Sequence, residues 1–341
     1  MTSTLDQGAA PILLAFSCGL DTSFCVPWLK ETYGRPVITV TVDTGGLDAD
    51  SRAALAARSA ELGALEHHLI DARAAYFDQV LKYLIMGNVR RGGTYPLCVG
   101  AERVLQAQTI AQMALSLKTP MVAHGCTAAG NDQVRFEVAL RTLAPDLTIL
   151  APVRDRAFKR QEELEYLQSR GLPVPPFGAA YSVNRGLWGV TIGGKETLTS
   201  SGSIPDHAWV LTRDAFASPR PAESHVIEFK QGRPVGLDGR ELSPVALIEA
   251  LEALAAPFGI GRGIHLGDTI IGTKAVLHSR RPPPRCCSRP IGSSRNWCSP
   301  AASSASRRRS RSLTAIWSTR ASCWIPSAAT SRPCSSPHRS G

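Results

Sequence analysis

Apolar and polar positions along this chain fall into blocks whose period switches between strand-like and helix-like. Ile12-Leu13-Leu14 is a short apolar run, and 23–33 after it has the make-up of a helix. Pro36-Val-Ile-Thr-Val-Thr-Val42 is a β-branched run typical of a buried parallel strand, and it stops at Asp43-Thr44-Gly45-Gly46. The pattern predicts helices over 50–62, 74–86 and 102–117, with a third strand over 66–70. Residues 121–124 and 148–150 read as the fourth and fifth strands, 133–143 as a helix, and 159–169 as a polar-faced helix ended by Gly171 and Pro173. Such alternation predicts an α/β fold, a doubly wound parallel sheet with helices on both faces. Ligands in that architecture sit beyond the carboxyl ends of the strands, so the loops at Ser17, Asp43 and Gly125 should meet in one crevice.

After Phe177 the texture changes. Turn signals recur, a hairpin is indicated over 226–237, and a helix over 244–254, which together suggest a second, α+β domain. The expected organisation is an N-terminal domain over 1–175, an incomplete second domain over 176–274, and a tail over 275–341.

A chain of 341 residues that is 43% hydrophobic can bury a sizeable core. No apolar stretch approaches the ~20 residues of a membrane helix, and no basic start with a long apolar core opens the chain. A soluble cytoplasmic protein without a membrane partner is the expectation. The net charge of +10 invites a nucleic-acid reading, but its distribution argues against one. Residues 275–341 hold twelve Arg and no Lys, Asp or Glu, which leaves 26 basic against 28 acidic side chains in the first 274. Five of the nine cysteines also lie in that tail; the four in the body, Cys18, Cys25, Cys98 and Cys126, are unpatterned, as in a reducing compartment.

The tail itself is rich in Ser, Arg, Pro, Ala and Cys, as in Ser306-Arg-Arg-Arg-Ser-Arg, with neither helical nor strand periodicity. Three readings compete: a disordered basic arm, a Cys-rich metal site, or a product of the wrong reading frame. Cys286 and Cys287 are adjacent rather than spaced for tetrahedral ligation. Arg without Lys, and the joint loss of Asp and Glu, favour the third.

The chemistry starts at Ser17-Cys18-Gly19-Leu20-Asp21-Thr22-Ser23, a small-residue loop between the first strand and the first helix. The first N–H groups of a helix lack intrahelical partners and carry partial positive charge, so such a loop can cradle phosphate. It could also be an ordinary turn whose Ser and Asp cap the helix. No Walker ending and no Gly-x-Gly-x-x-Gly is present. His67 and His68 should point to opposite faces of a strand and make a poor metal pair. His124 reads as a strand-end structural residue, and no resident metal site is expected.

The loop resembles that of the N-type ATP pyrophosphatases, Ser-Gly-Gly-x-Asp-Ser/Thr-Ser, with Cys18 standing where that family has Gly. Ala123-His-Gly-Cys-Thr-Ala-Ala-Gly-Asn-Asp-Gln-Val-Arg-Phe-Glu137 resembles a signature of the argininosuccinate synthases. Thr94-Tyr-Pro-Leu97, Tyr181-Ser-Val-Asn-Arg-Gly-Leu-Trp188 and Gly259-Ile-Gly-Arg262 extend that resemblance in order over about 10–274. It implies a ligase of arginine biosynthesis in which citrulline attacks ATP to give citrullyl-AMP and pyrophosphate, and aspartate then displaces AMP. By matching motif positions, Ala15, Phe16, Ser17, Cys18, Gly19, Leu20, Asp21, Thr22, Ser23, Val42 and Gly125 would contact ATP, with Mg²⁺ shielding the phosphates. Tyr95, Asn131, Arg135, Ser182 and Thr191 would hold citrulline; Thr127, Asn131 and Asp132 would hold aspartate, Asp132 being the candidate general base. Asn131 or Asp132 could instead cap the helix that follows, and Arg135 could be a solvated charge.

The resemblance also implies a homotetramer. Departures from the pattern are Cys18, Gly100 in place of a hydroxyl residue, Gly267 in place of a Glu, and the loss of the match near Lys274. Alternatives are another N-type pyrophosphatase, such as a tRNA thiolase or amidotransferase synthetase, and a non-catalytic binding product.

Overall fold

The computed structural model describes residues 10–91, 93–128, 130–174, 181–198, 203–269, 272–280 and 317–322, with the backbone alone at 195, 198 and beyond His265. Its first half is a five-stranded sheet of β1 (Ile12–Ala15), β2 (Val37–Asp43), β3 (Glu66–Asp71), β4 (Met121–His124) and β5 (Thr148–Leu150). The order is β3-β2-β1-β4-β5 and every pairing is parallel. The chain therefore winds outward one way from β1 and then the other way from β4. At that reversal β1 and β4 lie side by side with Ala15 opposite His124, so their exit loops open into a common crevice.

Strand alternation distributes the core to both faces of the sheet. Leu13 packs with Tyr76, Phe77, Leu105, Ile110 and Leu140 on one side. Its neighbours Ile12 and Leu14 pack on the other, with Phe24, Leu29, Leu55 and Leu164. The helices of these layers are α1 (Leu20–Tyr33), α2 (Ala49–Glu61), α3 (Arg73–Tyr76), α4 (Lys82–Met86), α5 (Glu102–Ser116), α6 (Asp132–Leu143), α7 (Pro152–Asp155) and α8 (Arg160–Ser169). The single helix expected over 74–86 is divided by a π-turn at Phe77–Leu81, which seats Phe77 and Leu81 in the core. The predicted doubly wound α/β sheet is present in full.

The second part begins with the hairpin β6 (Ser182–Gly186) and β7 (Gly189–Gly193), which the sequence reading did not anticipate. Its turn carries Leu187 and Trp188 into the core of the first part, where Trp188 Nε1 donates to Pro96 O at 3.0 Å. The hairpin expected over 226–237 is β8 (Ser224–Lys230) and β9 (Arg233–Leu237), extended by β10 (Arg240–Glu241) and covered by α9 (Pro244–Ala255), whose Ser243 accepts the capping bond of Ala246 N–H. Two further strands, β11 (Arg262–Thr269) and β12 (Gly272–Arg280), continue the sheet of β6 and β7. β12 runs past Lys274 to Arg280, and β13 (Trp317–Ser322) pairs antiparallel with β8, so two stretches of the compositionally odd tail have strand backbone. Ladder hydrogen bonds are made by the main chain, so these strands form without the alternation that was sought in the side chains. The rest of the tail lies outside the described residues.

Candidate functional site

A cavity of about 510 Å³ opens where the loops after β1, β2 and β4 meet. Ala15, Phe16, Ser17, Gly19, Leu20, Asp21 and Thr22 form one wall, Val42 and Gly125 another, and Asp132 a third. These are ten of the eighteen positions singled out in the sequence.

The loop is organised from within. Thr22 Oγ1 accepts from Ser17 N–H at 3.3 Å and donates to Gly19 O at 3.3 Å, while Ser23 N–H donates to Gly19 O at 2.9 Å. Gly19 is the N-cap residue of α1, and no side chain caps that end. The capping reading of Ser17 and Asp21 is therefore not realised, and the helix N-terminus faces the cavity. Gly125 closes on this turn so tightly that a Cβ there would lie 2.9 Å from Thr22 Cγ2 and 3.1 Å from Thr22 N. Cys18 has φ +62°, the left-handed region that glycine occupies without penalty. Cys18 and Ser23 are not part of the lining, and Ser23 is wholly buried.

Opposite the loop lies a polar array that the sequence reading missed. Glu102 and Arg103 open α5, and Gln106 follows one turn later. Arg103 donates from Nε to Asp132 Oδ2 at 3.0 Å, from Nη1 to Gln106 Oε1 at 2.8 Å and to Glu102 Oε1 at 3.2 Å, and from Nη2 to Asn184 Oδ1 at 3.3 Å. Thr44 Oγ1 donates to Glu102 Oε2 at 2.9 Å, and Gln106 Nε2 donates to Thr44 Oγ1 at 3.2 Å. No periodicity marks them, since Arg103 and Gln106 share their side of the helix with the apolar Ile110, which lines the same cavity.

Asp132 also accepts from Arg135 Nη1 at 2.7 Å, so two guanidiniums grip one carboxylate. Burial raises its pKa, but Arg103 and then Arg135 outweigh that and hold Asp132 below the ordinary carboxylate range. Asn131 is the N-cap residue of α6 and makes no side-chain cap, so neither it nor Asp132 serves as the simple helix cap that the sequence allowed. Nor is Arg135 a solvated charge.

The remaining expected positions lie outside the cavity lining. Tyr95 packs edge-on against His265 with ring centroids 5.2 Å apart, and burial pushes its phenol up. Ser182 is exposed on β6, while Thr191 is buried on β7 opposite Asn184. Thr127 is exposed beside the cavity loop.

His124 lines the cavity, and burial together with the Arg154 charge lowers it to about 4, so it is neutral; its Nδ1 accepts from Cys126 N–H at 3.3 Å. The Cys126 thiol is pushed up to about 12 by burial and is not a nucleophile at neutral pH. His67 bonds Thr39 and His68 bonds Glu66, each on its own side of β3. Among the described residues no group of three or more His, Cys, Asp or Glu could hold a metal, and no helix is long and apolar enough to cross a membrane. A cation here would arrive with phosphate oxygens and add the Asp21 carboxylate at the loop, a donor set that fits Mg²⁺.

Comparison with known proteins agrees with this geometry. Residues 11–173 match the arginosuccinate synthase N-terminal HUP domain and 181–282 the arginosuccinate synthase C-terminal domain, so the likeness extends a few residues beyond Lys274. The argininosuccinate synthase of Xylella fastidiosa is 41% identical over 271 residues, covering 78% of this chain and 66% of the relative. That of Xanthomonas campestris pv. campestris is 40% identical over 78% of this chain and 67% of its own length, and that of Methanocaldococcus jannaschii 37% over 77% and 66%. The chain thus aligns with about two thirds of the length of these curated relatives. With both domains matched in order, and the loop crevice at the strand reversal of its sheet, this chain belongs to the argininosuccinate synthase family.

Proposed function

We propose that this chain ligates citrulline and aspartate with ATP, giving argininosuccinate, AMP and pyrophosphate through citrullyl-AMP. The observation that carries the reading is the meeting, in one cavity, of an uncapped helix N-terminus behind a phosphate-type loop with the Arg103–Asp132–Arg135 array.

The ureido oxygen of citrulline attacks the α-phosphorus and pyrophosphate leaves; the aspartate amine then attacks the activated carbon, loses a proton, and AMP leaves. The loop amides and the dipole of α1 hold the departing pyrophosphate. Mg²⁺, carried by the phosphates and met by Asp21, supplies charge neutralisation when bound. Arg135 spends one nitrogen on Asp132; its other edge faces Gly100, where a Cβ would lie 3.2 Å from Nη2, and that edge suits a substrate carboxylate. That carboxylate is assigned to citrulline, with Tyr95, Asn131, Ser182 and Thr191 completing its subsite, while Thr127, Asn131 and Asp132 are assigned to aspartate. Asp132, ionised between two arginines, is a weak base. Its role is to attract the aspartate ammonium and orient the amine rather than to remove its proton, so positioning supplies most of the rate.

Purified protein supplied with ATP, citrulline and aspartate should release pyrophosphate only when both amino acids are present, and chelating Mg²⁺ should abolish the release. Pyrophosphate release with some other acceptor, or none with this set, overturns the assignment. The family reading also carries a cytoplasmic location and a homotetramer, the latter checked by light scattering of the purified chain.

A further inference from the structure

Glu102 has no part in the reaction as written, yet it is 2% exposed and stands at the junction of three elements. From β2, Thr44 donates its hydroxyl to Oε2; from α5 itself, Arg103 donates to Oε1. From the β6–β7 hairpin, Gly186 comes so close that a Cβ there would lie 2.3 Å from Oε2. The main chain of Thr44 is engaged as well, since its carbonyl accepts from Leu187 N–H at 2.9 Å. Gly45, next in line, has φ +102° and would place a Cβ 2.5 Å from Leu187 N.

We propose that Glu102 is a positioning residue that clamps Thr44 and Arg103, and through them seats the β6–β7 hairpin of the second domain on the rim of the nucleotide cavity. The proposal rests on the ATP reading above for its consequence on binding, but not for the clamp. Both carboxyl oxygens act as acceptors, one for Thr44 and one for Arg103. Burial lifts Glu102 to about 7, against the lowering influence of Arg103 and Thr44. The charged or titratable groups that face it are Arg103 on α5, Asp132 on α6, Asp43 at the end of β2 and Tyr76 on α3. Seating the hairpin therefore favours the neutral carboxyl, so the clamp is tightest below neutrality and loosens as pH rises through 7. Because Arg103 also holds Asp132, the same carboxyl sets the aim of the groups assigned to aspartate.

The test uses the full chain as wild type, Glu102→Gln, Thr44→Val, the double variant, and Thr44→Ser, which keeps the hydroxyl. ATP affinity is measured by calorimetry from pH 6 to 8, and exchange of the Leu187 amide by hydrogen–deuterium exchange, with amides of α1 as the reference. Glu102→Gln, which carries no charge to bury, should match wild type at pH 6 and bind ATP about tenfold more tightly than wild type at pH 8. The nucleotide's own phosphate titrates alike in both proteins and cancels in that ratio. Thr44→Val should weaken ATP binding about tenfold at pH 6, the double variant should be no worse than Thr44→Val, and Thr44→Ser should restore wild-type behaviour. Leu187 exchange should quicken about tenfold in Thr44→Val at pH 6, with α1 unchanged. A double variant that binds ATP more weakly than Thr44→Val, a pH-independent affinity ratio, or unaltered Leu187 exchange each overturn the clamp. If no protein binds ATP at any pH, the functional reading fails, and Leu187 exchange alone still decides the clamp.

Discussion

Asp132 and Arg135 lie one helical turn apart on α6 with Oδ1 and Nη1 at 2.7 Å, and both side chains are partly buried. Arg103 reaches the other oxygen of the same carboxylate from α5, so the charge of Asp132 joins two helices at the mouth of the cavity. Replacing Asp132 with Asn leaves two guanidiniums facing one amide. We expect Asp132→Asn to raise KM for aspartate by about tenfold or more, with a stability loss of about 1 kcal/mol because a third of the side chain is exposed. Steady-state kinetics with each substrate varied in turn checks this; an equal rise in KM for ATP would place the residue elsewhere.

Cys18 carries a side chain through a left-handed turn at φ +62°. For a residue with a Cβ this conformation costs about 1–2 kcal/mol, and glycine avoids it. Cys18→Gly should therefore tighten ATP binding by roughly threefold to tenfold, by freeing the loop to close on phosphate. Cys18→Ala keeps the Cβ and should bind as wild type does. Calorimetric titration of the three proteins separates strain from any effect of the sulfur.

Two buried groups pull stability in opposite directions over nearly the same pH range. His124, 1% exposed, is lowered from 6.5 to about 4, so the unfolded chain binds the proton more readily. Its contribution is complete above pH 6.5 and is lost as pH falls toward 4, about 3 kcal/mol in all. Glu102 is raised from 4.5 to about 7, so the folded chain binds the proton more readily, and a similar stability present below 4.5 is lost as pH rises to 7. The wild type should show a nearly level stability between pH 4.5 and 6.5. Glu102→Gln should expose the acid loss due to His124, and His124→Gln should make the protein gain stability on acidification. Urea melts at half-unit pH intervals would reveal these slopes; parallel profiles in all three proteins would refute the opposition.

Trp188 is fully buried and is held by its bond to Pro96 O. Trp188→Ala should cost about 3–5 kcal/mol and loosen the hairpin that lines the cavity through Asn184 and Arg185. Gly45→Ala should loosen the same hairpin by a different route, since its Cβ would meet the Leu187 backbone at 2.5 Å. Thermal melts would show the first loss, and hydrogen exchange over 182–193 both.

Sequence periodicity alone located every strand of the parallel sheet to within a residue or so, and for the inner strands β1, β2 and β4 the reason is that a strand buried on both faces must be a short apolar run between turn signals. It also located the loop at Ser17 and the segment around Asp132, because phosphate binding at a helix N-terminus needs small residues in a fixed local order. The α5 array was invisible by that logic. Glu102 and Arg103 are separated from Thr44, Asp132 and Asn184 by tens of residues, and ordinary charges at the start of a helix carry no mark of being buried. The β6–β7 hairpin was likewise decided by tertiary packing, since its turn residues Leu187 and Trp188 are apolar only because they enter another domain's core. The sequence by itself determined the α/β order and the place of the small-residue loop at Ser17 within it. Only the tertiary structure decided which charges face one another across the cavity, because contact between remote residues depends on how sheet, helices and hairpin close in space.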